Sequence, residues 1–289
     1  MLLQQLIFGI MIAALYGLAS MGFSLVAGIM RIINFAHPDL LSLGAYTAYW
    51  LWVFIGFDPI RGLPVSIVLG LIAGLLLFNL IKKSISPDVL LLITFSVGII
   101  LEEGMRLVWS PNYRGISWSL GVIAFSAISV PVTYLVGFIV NITIIGCLYL
   151  ILYKTYFGRA LRAVSIDPEA AALCGVDVTS IRRNGFALSS ILAFVGGSLL
   201  LIYLPVGINP YYGQTFLAKS IIIVTLGGIA NPWGALIGGV VVGVFDQMVP
   251  LLLRGIPFVK EPFSFAPFLY FVIFLCILAI RPQGILGRR

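Results

Sequence analysis

An all-α, polytopic membrane fold follows from three observations. Hydrophobic residues fill 61% of the 289 positions and charged residues only 9%, against about 45–50% and ~25% in soluble domains. Apolar runs of roughly 20 residues, the length that crosses a bilayer, recur from one end of the chain to the other. These runs are unbroken, whereas a membrane β-barrel shows alternating segments of about 10 residues. Together they predict about eight to ten transmembrane helices, a broken or re-entrant segment among them. The chain reads as one transmembrane domain, residues 1–289, with its main polar loop at about 154–183.

The first span covers residues 6–26, where Gly9, Gly17 and Gly22 permit close helix packing. The segment 28–46 follows, its apolar character interrupted by Arg31, Asn34, His37 and Asp39, and a second span covers 40–57. Residues 58–62 form a turn, a third span covers 63–81, and Lys82-Lys83 ends it. Ser86-Pro87-Asp88 opens a fourth span, 89–109. The segment 110–130 is mixed, its Trp and Tyr residues resembling interfacial aromatics. A fifth span covers 131–153. Arg182-Arg183 closes the polar loop before a sixth span, 184–204. Two linked segments, 215–229 and 233–252, flank Ala230-Asn231-Pro232. The first is short for a full crossing, so a broken or re-entrant helix is expected there. A last span covers 263–280.

The net charge of +7 arises from Lys and Arg concentrated in alternate loops. The positive-inside rule places 82–83, 154–183 and the Arg281 tail in the cytoplasm, with the N-terminus outside. Cys147, Cys174 and Cys276 lie far apart without metal-ligand spacing. The first apolar run lacks the basic start of a cleavable signal peptide.

The stretch 156–178 is the most informative. It carries Arg159, Arg162, Asp167, Glu169 and Asp177 between two apolar runs. Asp167-Pro168-Glu169 has the grammar of a helix start: an N-cap acceptor, a proline at the first helical position and an acid at the positive dipole end. Ala170, Ala171, Ala172 and Leu173 favour helix, and Gly175 supplies a left-handed stop. The result is a helix of about 10–12 Å. So short a helix is marginal alone, which points to a docking element for a soluble partner; the plainer reading is a loop helix lying on the membrane surface.

No enzyme constellation is present: one histidine, no HExxH, no G-x-S-x-G and no G-x-x-x-x-G-K-[ST] phosphate loop. Any energy the chain uses must therefore come from another chain or an ion gradient. His37, at a span boundary, reads as a ligand or proton carrier on one view and a packing residue on the other. Glu102 and Arg106, at i,i+4, are expected to pair, either lining a pathway or at the interface. Asp246 is the most isolated acid within an apolar run, and Lys219 is placed to snorkel. Asn231 and Pro232 mark either a helix break facing a solute path or a tight turn.

Several ordered motifs carry a resemblance. They are Ile33-Asn34-Phe35-Ala36-His37 with Gly44, Gly158-Arg159-Ala160-Leu161-Arg162-Ala163, Asp167-Pro168-Glu169-Ala170-Ala171 with Gly175-Val176, Gly227-Gly228-Ile229-x-Asn231-Pro232-x-Gly234-Ala235, and Arg281-Pro282-Gln283-Gly284. From end to end the chain resembles the inner-membrane permease of branched-chain amino-acid ABC importers, departing at Pro38, where the family usually has Gly. The wider family includes permeases for urea and short amides. The resemblance implies an architecture of the vitamin B12 importer type. It also implies a second, similar permease, two cytosolic ATPase subunits and an extracytoplasmic solute-binding protein. ATP and Mg would be used by the ATPase partner, and no cofactor by this chain. In that reading 167–173 is the coupling helix: Asp167 caps it, Pro168 and Glu169 start it, Ala170, Ala171 and Leu173 offer a small apolar face, and Arg159 and Arg162 reach acidic groups or lipid. Asn34, His37, Glu102, Asn231 and Asp246 are the candidate pathway or gating residues. The alternatives are an ABC permease for urea, short amides or sugars, and a secondary transporter working alone.

Overall fold

The computed structural model describes residues 2–30, 33–82, 86–125, 128–229, 231–254, 262–281 and 284–286. Arg31, Lys83, Ala230, Pro282 and Gln283, named above, lie outside the described residues. The order is α1 (Leu2–Met30), α2 (His37–Ile55), α3 (Leu63–Ile81), α4 (Pro87–Trp109), β1 (Val122–Phe125), β2 (Ile128–Pro131), α5 (Val132–Lys154), α6 (Tyr156–Ile166), α7 (Pro168–Leu173), α8 (Val178–Tyr203), α9 (Tyr212–Gly227), α10 (Pro232–Leu253) and α11 (Pro262–Ile280). Among the described residues α1, α3, α5, α8 and α10 are long and apolar enough to cross a membrane. The mixed segment also holds a small antiparallel hairpin, Val122 opposite Pro131 and Phe125 opposite Ile128, which the all-α expectation lacked.

At the centre stands α8, buried at most positions from Gly185 to Tyr203 and packed by α1, α2 and α3. Its contacts use small polar groups: Ser198 donates to Gly44 O at 2.9 Å, and Ser66 of α3 meets it at 2.7 Å. Such short bonds bring helix backbones together where lipid offers no hydrophobic drive for association. The α1–α10 pair also packs backbone to backbone. A Cβ on Gly239 would stand 2.6 Å from Gly17 N, so only glycine lets these backbones touch. By contrast α3 and α5 turn broad apolar faces outward, as lipid-facing helices do.

Helix ends follow local chemistry. Ser86 caps α4, accepting from Val89 N at 3.3 Å. Asp177 caps α8 by accepting from Ser180 N at 3.0 Å. The sixth helix therefore starts six residues before the expected boundary, and Arg182 and Arg183 ride on it rather than closing a loop. The segment expected to be one broken helix is a tight hairpin of two helices, α9 and α10, with Gly227 backed directly onto Gly234. The turn reading of Asn231-Pro232 is the observed one.

Two helices begin inside the bundle. The start of α2 is buried inside the bundle, His37 beside Ala19 of α1 and Asp39 beside Gly98, halfway along α4. The start of α9 meets the same point, with Gly213 against Asp39. At 16 residues α9 is about 24 Å long, less than a full crossing. One end of the bundle gathers α6, α7, the α9–α10 turn and residues 284–286, which bond to Leu226 and Gly227. The opposite end carries the β-hairpin, the α2–α3 turn and a backbone bridge between Arg114 and Ile208.

Candidate functional site

At the α7 end, Thr155 breaks α5 from α6 and caps the latter, its hydroxyl accepting from Gly158 N at 3.2 Å. Arg162 folds back over this bend. Its guanidinium donates to Leu152 O and lies 4.8 Å over the ring of Tyr153. This engagement with its own chain corrects the expectation that Arg162 reaches outward to a partner, whereas Arg159 is exposed. Asp167 is both the C-cap of α6 and the N-cap of α7, accepting from Glu169 N at 2.9 Å and Ala170 N at 3.0 Å. Pro168 sits in the first turn, and Gly175 at φ +83° closes the far end. Leu173 is 91% exposed, and Glu169 and Ala170 are exposed beside it. Ala171 is the exception to the predicted face: it is buried against the protein, because a helix of under two turns must rest one side on its neighbours.

A second cluster lies within the bundle. The expected Glu102–Arg106 pair is not formed. Glu102 turns inward and accepts from Gln214 Nε2 of α9 at 2.6 Å, while Arg106 pairs with Glu103 at 2.6 Å on the half-exposed face. Spacing of three or four residues serves equally on a helix, and burial of Glu102 decided between them. Asn34 turns its Oδ1 to Ala36 N at 3.1 Å, and Phe35 N donates to Thr94 Oγ1 of α4 at 3.3 Å. Asn34 Nδ2 and Asp39 Oδ1 are buried without hydrogen-bond partners among the described residues. Asp39 nevertheless has compensation. It sits in the first turn of α2 and against the first turn of α9, so two helix N-termini direct positive partial charge at one carboxylate. The sequence marks Asp39 only as a break in an apolar stretch and does not single out Gln214, since nothing local announces that α2 and α9 start at one place.

The third site corrects Asp246 and Lys219 together. Asp246 is not isolated, nor does Lys219 snorkel: Lys219 Nζ donates to Asp246 Oδ2 at 2.5 Å, and Tyr16 Oη donates to the same oxygen at 3.0 Å. Lys219 also donates to Tyr16 Oη at 3.0 Å. The partners come from α9, α10 and α1, 203 and 27 positions apart, so no sequence window holds them.

His37 is fully buried in the packing between α1 and α8. Ala19 O, which can only accept, lies 3.1 Å from Nε2, so that nitrogen carries the proton; Ser189 Oγ lies 3.3 Å from Nδ1. Its surroundings are those of a packed side chain. Asn231 caps α10, accepting from Trp233 N at 3.1 Å, and donates to Leu286 O at 3.2 Å, fastening the C-terminal residues to the hairpin.

With this geometry in place, the comparisons are informative. The family described as "Branched-chain amino acid transport system / permease component" matches residues 5–279. A probable branched-chain amino acid transport permease protein LivH of Methanocaldococcus jannaschii is 30% identical, covering 93% of this chain and 88% of the relative. The high-affinity branched-chain amino acid transport system permease protein LivH of Escherichia coli K12 is 28% identical over 99% of this chain and 96% of its own length. In fold, the chain is similar to a solved structure described as PsaBC from Streptococcus pneumoniae in complex with Fab, with a TM-score of 0.50 at 15% identity over 96% of this chain and 91% of that one. Matched over nearly its whole length, the chain belongs to the permease family of branched-chain amino acid transport systems.

Proposed function

We propose that the chain is the membrane permease subunit of an ABC importer, carrying leucine, isoleucine or valine into the cytoplasm. ATP hydrolysis, with Mg, takes place on two separate ATPase subunits, one of which docks on α7. A second, similar permease completes the pathway, a solute-binding protein delivers the amino acid, and the whole forms an arrangement of the vitamin B12 importer type. The α7 end of the bundle faces the cytoplasm of a prokaryotic cell and the N-terminus faces outside, which puts Lys82, Lys154, Arg159, Arg183 and Arg281 on the inner side. The chain acts as a single transmembrane domain.

The observation that carries this reading is α7 itself: a six-residue helix, capped at both ends by its own chain, presenting Glu169, Ala170 and the 91% exposed Leu173 beyond the bundle. A stand-alone transporter has no use for such an element. Relatives named for branched-chain amino acid transport support the solute. Of the residues inside the bundle, Asn34, Glu102 and Asp39 are proposed to respond to opening of the pathway, since they meet where α2 and α9 begin.

Affinity co-purification in mild detergent tests the coupling contact. An ATPase subunit should accompany the wild type and be lost with Glu169→Arg; its absence from both, with the chain folded, would return the stand-alone transporter. Uptake competition tests the solute. Leucine should compete and urea and ribose should not, and the reverse pattern overturns the substrate assignment.

A further inference from the structure

At the end of the bundle opposite α7, a cleft of about 530 Å³ separates α2 from α3. Its walls are apolar side chains, among them Leu51, Phe54, Leu69 and Ile72, with the indoles of Trp50 and Trp109. The lining is continuous with the outward faces of both helices, where Phe54 is 76% and Leu76 60% exposed. Two guanidinium groups stand beside the cleft without lining it, Arg114 over its wall residue Trp50 and Arg61 in the turn that joins its two walls. Arg61, in the turn that joins α2 to α3, is bound to Asp58 at 3.2 Å yet keeps its side chain 74% exposed. Arg114 lies 5.2 Å over the Trp50 ring and donates through Nε and Nη2 to Trp109 O and through Nη1 to Tyr49 Oη. These bonds engage three of the five guanidinium N–H groups and leave two. Trp50 Nε1 is buried and finds no acceptor among the described residues. An apolar slot that opens on the outward faces of α2 and α3, with two guanidinium groups beside it, is complementary to an anionic amphiphile.

We propose that the α2–α3 cleft holds one acyl chain of an anionic phospholipid, whose phosphate is drawn to Arg61 and Arg114. The inference rests on the chain's place in a bilayer and is independent of which solute it moves. Moving an acyl chain from bulk lipid into this slot exchanges one apolar surrounding for another. The headgroup therefore sets the preference, at about fivefold for each guanidinium near the membrane surface.

Native mass spectrometry of the purified chain, titrated with phosphatidylglycerol or with phosphatidylcholine of matched chain length, tests the site. One phosphatidylglycerol should be retained per chain in preference to phosphatidylcholine. Arg61→Gln should cut that preference about fivefold, and Ala73→Phe, which fills the cleft, should abolish retention. Leu69→Trp serves in its place if Ala73→Phe does not fold. Equal retention of both lipids, no retention by the wild type, or unchanged retention in the filled variants overturns the proposal. So does a dimer mass that the filled variants abolish, since a second copy of the chain would then occupy the cleft.

Discussion

Lys219 Nζ and Asp246 Oδ2 stand 2.5 Å apart across the α9–α10 hairpin, and Tyr16 Oη closes the triangle from α1. Each charge is about seven-eighths buried, so neither is tolerable alone in an apolar bundle. Lys219→Ala or Asp246→Ala should each destabilise the protein by about 2.5–3.5 kcal/mol, the cost of an unpaired charge at membrane depth. The double neutral variant Lys219→Met with Asp246→Leu should recover more than half of that loss. Thermal unfolding in detergent reads this, and a double variant no better than the singles contradicts the pairing.

Asp39 is wedged between Gly98 and Gly213. A Cβ on Gly98 would stand 2.7 Å from Asp39 Oδ2, and one on Gly213 would overlap Oδ1. Gly213→Ala should therefore cost about 1–3 kcal/mol by overpacking. The same change placed on Asp39→Gly should cost little. Additive losses in this double-mutant cycle would mean that the contact does not limit packing there.

Removing the shared cap with Asp167→Ala should cost about 1 kcal/mol, expressed locally. Amide exchange should quicken at residues 169–173 and stay unchanged in α8, because a six-residue helix has no reserve of its own. Leu173→Ala, at a 91% exposed position, should leave stability within ±0.5 kcal/mol while lowering recovery of the ATPase partner. Loss of stability in that variant would assign Leu173 to folding instead of docking.

Arg162 braces the α5–α6 bend through Leu152 O and the Tyr153 ring. Arg162→Ala should cost about 1–3 kcal/mol. Arg162→Lys should recover less than half, since an ammonium cannot stack as a planar guanidinium does. Amide exchange at residues 155–159 is the readout, and full rescue by lysine would reduce the role to charge alone.

The elements that local chemistry decides were legible in the sequence. The span 63–81 matches α3, and the capped helix at 167–173 is α7, because hydrophobic length and capping are written within a few residues. Asp177 is an equally good cap, yet it lay unused beside the conspicuous Arg182-Arg183, so α8 was begun too late. What sequence could not reveal is which buried polar groups meet. Gln214 and Glu102 are 112 positions apart, and Tyr16 and Asp246 are 230 apart. A helical chain fixes only which face each residue occupies; the partner is chosen when helices that start mid-bundle, such as α2 and α9, find their depth. That is also why Glu102 was assigned the wrong ion partner while Glu103, its neighbour, took Arg106.

Asp167 is the single residue between α6 and α7 and is hydrogen-bonded to both, so the two helices have no slack linker, and the Arg162 brace removes the free joint above them. A push on α7 from below cannot be absorbed by a yielding linker. It arrives as torque on α6 and, through the bend at Thr155, on the foot of α5, so this corner of the molecule behaves as a crank and not as a hinge.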